Sequence, residues 1–459
     1  MWPIGVAYFV LLFTVFWFYK SVSIAVTATI SYMRIKAGQE IDWLADAKTF
    51  DTWNEVRHVV IIPTYKEPLH TLQRTIGALA AQTFPTKRIT PVIAFESRED
   101  EKDRKEKEVA LRQQFGDKLD LMFTVHVLKA GEVVGKSSNE LHAGLVVKKR
   151  LVDEQGIDMD MITVTSCDAD HVYHFRHFSY LTVKFLSSNK PYNRFWQPAV
   201  MFYNNFWNLP APTRVANTFA TIWNTALLSR SDRLLSCQNY STSLRLLDTV
   251  GYWDPDVIPE DYRIFFKSYF KLNGDLEVEP MYIPLSADAA ESTNWWRTLH
   301  NQYEQYKRWA WGVSDNPYII KNYFLSAKVP LADKTVRVLR LIEDHFLWPV
   351  NWFIVTLGVN IPSLVNPNFD RTAIGHSLPG ISSFMLTLCL LFLAIIIVID
   401  AKQRPPRPDN VRRWRAWMIP FEFILMPIVG FFFTALPGLD AHTRLMLGKY
   451  MEYRVTEKV

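Results

Sequence analysis

The stretch HNQYEQYKRWAWG, His300 to Gly312, sets an amide, a guanidinium and an indole close together. On a helix Gln305, Arg308 and Trp309 fall at i, i+3 and i+4, so all three share one face. A fork of N–H donors beside a flat apolar ring suits an anion next to a sugar. The same pattern also fits an amphipathic surface helix with aromatic anchors. In TSCDADHVYHF, Asp168 and Asp170 stand at i and i+2 just past a hydrophobic run. Carboxylates so spaced can hold a hard divalent cation, with a diphosphate supplying further oxygens, and they also serve as turn or cap residues. His171, His174 and His177 follow, but they lack the companions of a zinc-protease helix and read as core or surface histidines. Glu260 and Asp261 sit between a Pro-rich turn and an amphipathic run. Acidic residues there favour a helix N-terminus, whereas a carboxylate facing a cavity could take a proton from a hydroxyl nucleophile. The residues alone do not choose between Glu260 and Asp261.

The surrounding elements must bring these groups to one place. His58–Tyr65 predicts a buried strand, and Pro68–Gln82 the helix that follows it. Ile89–Phe95 predicts a second strand and Arg98–Phe115, dense in charge, a solvated helix. A third strand over Leu121–Leu128 leads through a Gly-bearing loop into a helix, and Met161–Ser166 predicts a fourth. The alternation predicts an α/β domain with a mainly parallel sheet and helices on both faces, binding ligands beyond the carboxyl ends of the strands. Thr64 to Glu67, Glu96 and the Asp168–Asp170 pair fall at such ends. No internal repeat or low-complexity tract interrupts the pattern.

The chain has 459 residues, of which 49% are hydrophobic and 14% aromatic. Trp2–Tyr19, Phe346–Val365, Ile381–Ile399 and Trp417–Leu436 each approach the ~20 residues needed to cross a bilayer. The N-terminal MWP carries no positive side chain and the apolar run continues past Lys20, so the first segment reads as an anchor rather than a cleaved signal. The basic run Asp400–Trp417, with Arg34 and Lys36, predicts that the large domain is cytosolic, and the sparsely basic Asn366–Gly380 the outer face. These clusters account for most of the net charge of +5 and give no reason to expect nucleic acid as a partner. Cys167, Cys237 and Cys389 have neither metal-ligand spacing nor the look of a disulfide framework.

The order of the stretches is more specific than any one of them. VIIPTYKEP, then Gly135–Lys136, then DAD, then VGYWD with PEDYRI, then QYKRW, flanked by apolar segments, resembles the membrane-embedded family 2 glycosyltransferases. The nearest likeness is to the processive branch of cellulose and hyaluronan synthases, over about residues 55–315 and the general membrane layout. The resemblance implies a GT-A (Rossmann-like) cytosolic domain with N- and C-terminal transmembrane and interfacial helices, a nucleoside-diphosphate sugar donor, Mg2+ or Mn2+, and inversion at the anomeric carbon. Thr64, Tyr65 and Glu67 match the first-strand motif that receives the nucleoside, Glu96 the end of the second strand, and Lys136 the lysine near ribose and diphosphate. Asp168 and Asp170 match the DxD pair, whose second member contacts the cation. Asp261 matches the last residue of Thr-Glu-Asp, the general base, with Glu260 beside it. Gln305, Arg308 and Trp309 match QxxRW; Arg308 is assigned to the donor, and Gln305 and Trp309, with Trp253, to the acceptor. YRVTEK, with Tyr453, Val455, Thr456 and Lys458, resembles the FxVTxK gating loop.

Three departures stand out. Pro259 replaces the Thr of Thr-Glu-Asp, Glu96 stands where the family commonly has Asp, and GKSSNELHAGL is one residue longer than the family pattern. The layout implied is a transmembrane helix over 1–36, the GT-A domain over 37–318, interface helices over 319–345, a C-terminal membrane region over 346–437 and a cytosolic tail over 438–459. A cytosolic tail requires that Trp417–Leu436 not cross fully, and Pro420, Pro427 and Pro437 suit a re-entrant or interfacial path. The implied reaction moves a sugar, from a UDP-sugar first among donors, to a hydroxyl of a growing polysaccharide at the cytoplasmic membrane face. One alternative stops after a single sugar on a membrane lipid; another uses the α/β domain only to bind nucleotide in a transporter or scaffold. The partners implied are the sugar nucleotide, a polysaccharide or lipid acceptor, and membrane lipids.

Overall fold

The computed structural model describes residues 2–451, so Tyr453, Val455, Thr456 and Lys458 lie outside the described residues. The strands are β1 (Arg57–Thr64), β2 (Ile89–Glu96), β3 (Met122–His126), β4 (Ile162–Ser166), β5 (Val172–Tyr173), β6 (Arg194–Met201), β7 (Tyr240–Ser243) and β8 (Glu277–Ser286). They form one sheet in the order β3-β2-β1-β4-β7-β6-β8-β5. Successive residues of β1 and β2 point to opposite faces, and both faces are covered. Val59, Ile61, Val92 and Ala94 pack with Ala143, Val147 and Phe265 on one side. Val60, Ile62, Ile93 and Phe95 pack with Leu72, Ile76 and Phe178 on the other. A histidine survives inside β1 because both nitrogens of His58 meet hydroxyls, of Thr163 at 2.6 Å and Thr182 at 2.8 Å. Burial lowers its pKa to about 3, so the ring stays neutral.

The sheet is mainly parallel, as expected, with one antiparallel strand set inside it. β1 runs parallel to β2 and β4, and β6 parallel to β8, but β7 is antiparallel to both of its neighbours, β4 and β6. β7 reads Tyr-Ser-Thr-Ser, so no hydrophobic run announces it in the sequence.

Among the described residues four helical stretches are long and apolar enough to cross a membrane: Pro3–Glu40, Leu331–Val365, Ala373–Gln403 and Arg413–Met446. The first belongs to a single 39-residue helix, Trp2–Glu40. Its second half is built into the α/β domain: Ala28 packs with Ile222 and Ala226, Ile35 enters the main core, and Gly38 lies so near the Tyr282 carbonyl that a Cβ would stand 2.3 Å from its oxygen. The helix Leu331–Leu357 joins the stretch read as interfacial to the one read as membrane-crossing without a break, with Pro349 inside it. Ion pairs and hydrogen bonds mark where these helices meet the domain. Lys20 of the first helix pairs with Glu343 of the second at 2.8 Å, Glu343 pairs with Arg233 of the domain at 2.5 Å, and Asp400 accepts from Tyr203 at 2.9 Å and Thr218 at 3.2 Å.

The fourth stretch behaves differently. Near one end Glu422 accepts two bonds from Arg214, and near the other Asp440 pairs with Lys307 at 3.4 Å. Between them Phe423, Val429 and Phe433 pack over Ala216 and Tyr306. Both ends are thus held on the α/β domain, so the stretch lies along that domain despite a span's length. The Arg214–Glu422 pair is buried, with side-chain exposures of 3% and 13%. Replacing Glu422 by Leu leaves a buried, unpaired guanidinium and should cost about 3 kcal/mol. A thermal unfolding midpoint in detergent equal to that of the unsubstituted protein would contradict this.

Candidate active site

A cavity of about 800 Å³ opens at the carboxyl ends of the parallel strands and continues between the apolar helices. Thr64, Tyr65, Glu67, Glu96, Lys136, Asp168, Asp170, Glu260, Asp261, Arg308 and Trp309 all line it. Asp170, Asp261 and Arg308, remote in sequence, therefore share one space. The turn after β1 is shaped by Lys66, a non-glycine residue at φ 58°. Its N–H donates to Glu99 Oε2 at 3.0 Å, and Glu99 is itself paired with Lys107.

Asp168, Asp170 and His171 each offer a ligand atom, all lying within 4.8 Å of one another. Asp170 and His171 are buried. Asp170 is fixed by the Asp288 N–H, which donates to its Oδ2 at 2.8 Å, and Asn204 Nδ2 donates to its carbonyl at 3.1 Å. Arg74 in turn pairs with the Asp288 side chain at 2.5 Å. Asp288 was not foreseen; its role runs through a backbone N–H, which no residue type reveals.

Lys136 opens the helix Lys136–Lys148, and its ammonium sits in a nest of acids. It is 2.9 Å from Asp168, 3.3 Å from Glu260 and 3.8 Å from Glu140, and it donates to the Gln238 carbonyl at 3.0 Å. Burial by itself would lower the Lys136 pKa; the carboxylates of Asp168, Glu140 and Glu260 outweigh it and hold the ammonium well above the ordinary lysine value. Burial also pushes Glu140 up to about 8 and Glu260 up to about 7, against the pull of Lys136. One ammonium faces three carboxylates in this nest, so burial shifts the two glutamates toward their protonated forms while Lys136 stays charged. Glu140, fully buried and bonded to Ser166 Oγ at 2.5 Å, went unassigned in the sequence. The signal was there: it falls in the stretch one residue longer than the family pattern, at i+4 from Lys136.

Asp261 lies at the start of the helix Glu260–Lys271. Its Oδ2 accepts from the Gln238 N–H at 3.1 Å and its Oδ1 from the Tyr262 N–H at 2.8 Å. Burial raises its pKa, and those two N–H groups restrain the rise. Gln238 adopts φ 56°, a conformation costly for a non-glycine residue, while its N–H holds Asp261 and its carbonyl holds Lys136.

The expected helix face is split. Gln305, Arg308 and Trp309 all lie on the helix Trp295–Ala310, and Arg308 and Trp309 reach the cavity. Gln305 is buried outside the cavity lining and accepts from Gln302 Nε2 at 3.3 Å, Gln302 in turn accepting from Asn217 at 2.7 Å. The Trp309 indole packs on Tyr306, with ring centres 4.9 Å apart, and on Phe202 at 5.7 Å. Trp253 must be reassigned. It is buried in the main core, and its Nε1 donates to the Tyr240 hydroxyl at 2.6 Å, so no face is left for an acceptor.

No family model matches the chain. No curated protein matches it either. Among solved structures the chain is similar, at 13% identity and a TM-score of 0.45, to the mannosyltransferase PcManGT from Pyrobaculum calidifontis in complex with GDP-Man and Mn2+, covering 96% of this chain and 100% of that one. It is similar to residues 1–349 of S. aureus TarS at 12% identity and a TM-score of 0.39, covering 78% of this chain and 94% of that one. With the same TarS fragment in complex with UDP-GlcNAc the identity is 13% and the TM-score 0.38, over 87% of this chain and 93% of that one.

Proposed function

We propose that the protein is an inverting family 2 glycosyltransferase with a GT-A domain. It moves a sugar from a nucleoside-diphosphate sugar, a UDP-sugar first, to a hydroxyl of a growing polysaccharide at the cytoplasmic membrane face. The observation that carries this reading is the shared cavity, in which the Asp168–Asp170 pair, a lysine, an arginine, the adjacent carboxylates of Glu260 and Asp261 and an indole converge beside the apolar helices. The basic run from Asp400 to Trp417 supports the orientation.

The donor end fits a divalent cation, because two carboxylates and an imidazole converge there and two of the three are buried. Asp168, Asp170 and His171 would hold it, and when bound it would offset the charge of the diphosphate. Arg308 supplies a fork of N–H donors to the departing oxygens, and Lys136 adds a fixed positive charge. Asp261 takes the proton of the attacking hydroxyl, its carboxylate aimed by the N–H groups of Gln238 and Tyr262. Glu260, engaged by Lys136, tunes the pocket charge. Trp309 offers its face to the C–H side of the acceptor ring. A single displacement inverts the centre, so no second catalytic carboxylate is needed.

Incubation with labelled UDP- and GDP-sugars and Mg2+ or Mn2+, followed by product sizing, tests the proposal. A ladder or insoluble polymer is expected. One lipid-linked sugar would favour the single-transfer alternative, and nucleotide binding with neither transfer nor hydrolysis a transporter or scaffold. Trp309→Ala should shorten or abolish the ladder while leaving UDP affinity within about twofold, since the indole serves only the acceptor. An unchanged ladder would remove Trp309 from that role.

A further inference from the structure

We propose, on the basis of the reading of Asp261 as general base, that Gln197 is a positioning residue for transfer: its side-chain amide locks the backbone at Cys237 and so fixes the Gln238 N–H that aims the base. Gln197 lies on β6, is 2% exposed and stands outside the cavity lining. Whatever its amide does therefore runs through its partners.

The ladder between β6 and β7 pairs Phe195 with Thr242 and Trp196 with Ser241 and goes no further. Beyond it Gln197 offers its side chain in place of its backbone. Its Oε1 accepts from the Cys237 N–H at 2.9 Å, and its Nε2 donates to the Cys237 carbonyl at 3.2 Å. One donor and one acceptor thus face one acceptor and one donor, which fixes the orientation of the amide. Nε2 also donates to the Pro198 carbonyl at 3.1 Å, tying the amide back to its own strand.

The residue after this clip is strained. Gln238 holds φ 56°, a conformation that an L residue keeps only where its surroundings enforce it. On one flank stands the Cys237 clip; on the other Asn239, fully buried, donates to the Tyr173 hydroxyl at 2.7 Å. Between these anchors the Gln238 N–H reaches Asp261 Oδ2 at 3.1 Å, and its carbonyl takes the Lys136 ammonium at 3.0 Å. On the far side of the clip Ser236 Oγ donates to the Asp261 carbonyl at 3.0 Å. Without the amide, Gln238 can relax toward an ordinary φ, which turns its N–H from the carboxylate. Asp261 then lacks one of the two N–H groups that restrain the rise of its pKa. Lys136, Asp168 and Glu260, the charged groups that act on it, stay in place.

Single-turnover transfer by the full-length protein in detergent, expressed per UDP-binding site counted by calorimetry, tests this. Gln197→Met, close in volume but without the amide, should lower the rate by about tenfold or more. UDP affinity should stay within about threefold, because Lys136 keeps Asp168 and Glu260. The acid limb of the pH–rate profile should move to higher pH, since a carboxylate with one N–H fewer takes up its proton sooner as the pH falls. In a Gln238→Gly background the same substitution should cost about threefold or less, because glycine keeps φ 56° without being held. Gln197→Asn, one methylene short, should give smaller changes in the same directions, and it carries the test if Gln197→Met does not fold. An unsubstituted rate and pH profile in Gln197→Met overturns the inference and leaves sugar transfer standing. So does an equal loss in both backgrounds with the acid limb unmoved, the mark of an amide that only supports the fold. Absence of transfer from every sugar nucleotide by the unsubstituted protein overturns the transfer reading and this inference with it.

Discussion

Asp261→Asn should lower the transfer rate by a factor on the order of 10²–10⁴ while leaving UDP affinity unchanged. The asparagine oxygen can still accept one of the two N–H groups that now hold the carboxylate, those of Gln238 and Tyr262, so the loop keeps its shape. What is lost is the capacity to take a proton from the attacking hydroxyl. Single-turnover transfer measured beside calorimetric binding separates the two effects. An Asp261→Asn protein with ordinary turnover would remove the residue from the role of base. Glu260 provides the contrast: engaged by Lys136 at 3.3 Å, it should on replacement by Gln act first on donor affinity.

Asp170→Asn should be equally severe at the other end of the reaction. The Asp288 N–H at 2.8 Å can still bond to an amide oxygen, so the fold is preserved. The anionic ligand in the Asp168–Asp170–His171 cluster is gone. Nucleotide binding should lose its dependence on Mn2+, and transfer should fall by about 10² or more, the scale of removing one charge-stabilising group. Titrating UDP with and without Mn2+ reads this directly. If the two curves still separate as they do for the unsubstituted protein, Asp170 is not the cation's ligand.

Much of the layout of the cavity wall was legible because it depends on local pattern. The apolar runs of β1, β2 and β4 end at or next to Thr64, Glu96 and Asp168, which line the cavity, and a buried parallel strand is the plainest signal a chain carries. What escaped depends on distant partners. Trp253 looked available beside its Pro-Asp turn, yet Tyr240 of β7 takes its indole N–H. Gln305 has the right spacing for the cavity, but the amides of Gln302 and Asn217 draw it inward. β7 itself, short and hydroxyl-rich, is a strand only because β4 and β6 flank it. Glu140 was passed over because a lone carboxylate in a helix ordinarily faces water, although its i+4 spacing from Lys136 was legible.

The first helix has a mechanical consequence. Its 39 residues extend about 58 Å, roughly twice the ~30 Å hydrocarbon thickness of a bilayer. Its second half is clamped at Gly38 and Ile35 against the α/β domain, with no break in the helix between that half and the apolar first half. The helix is therefore a strut that sets how far the pocket stands off the lipid. If the helix spans a bilayer as its length and composition allow, a thicker or thinner one cannot be absorbed by a slack tether; it must tilt the whole molecule or deform the lipid around it.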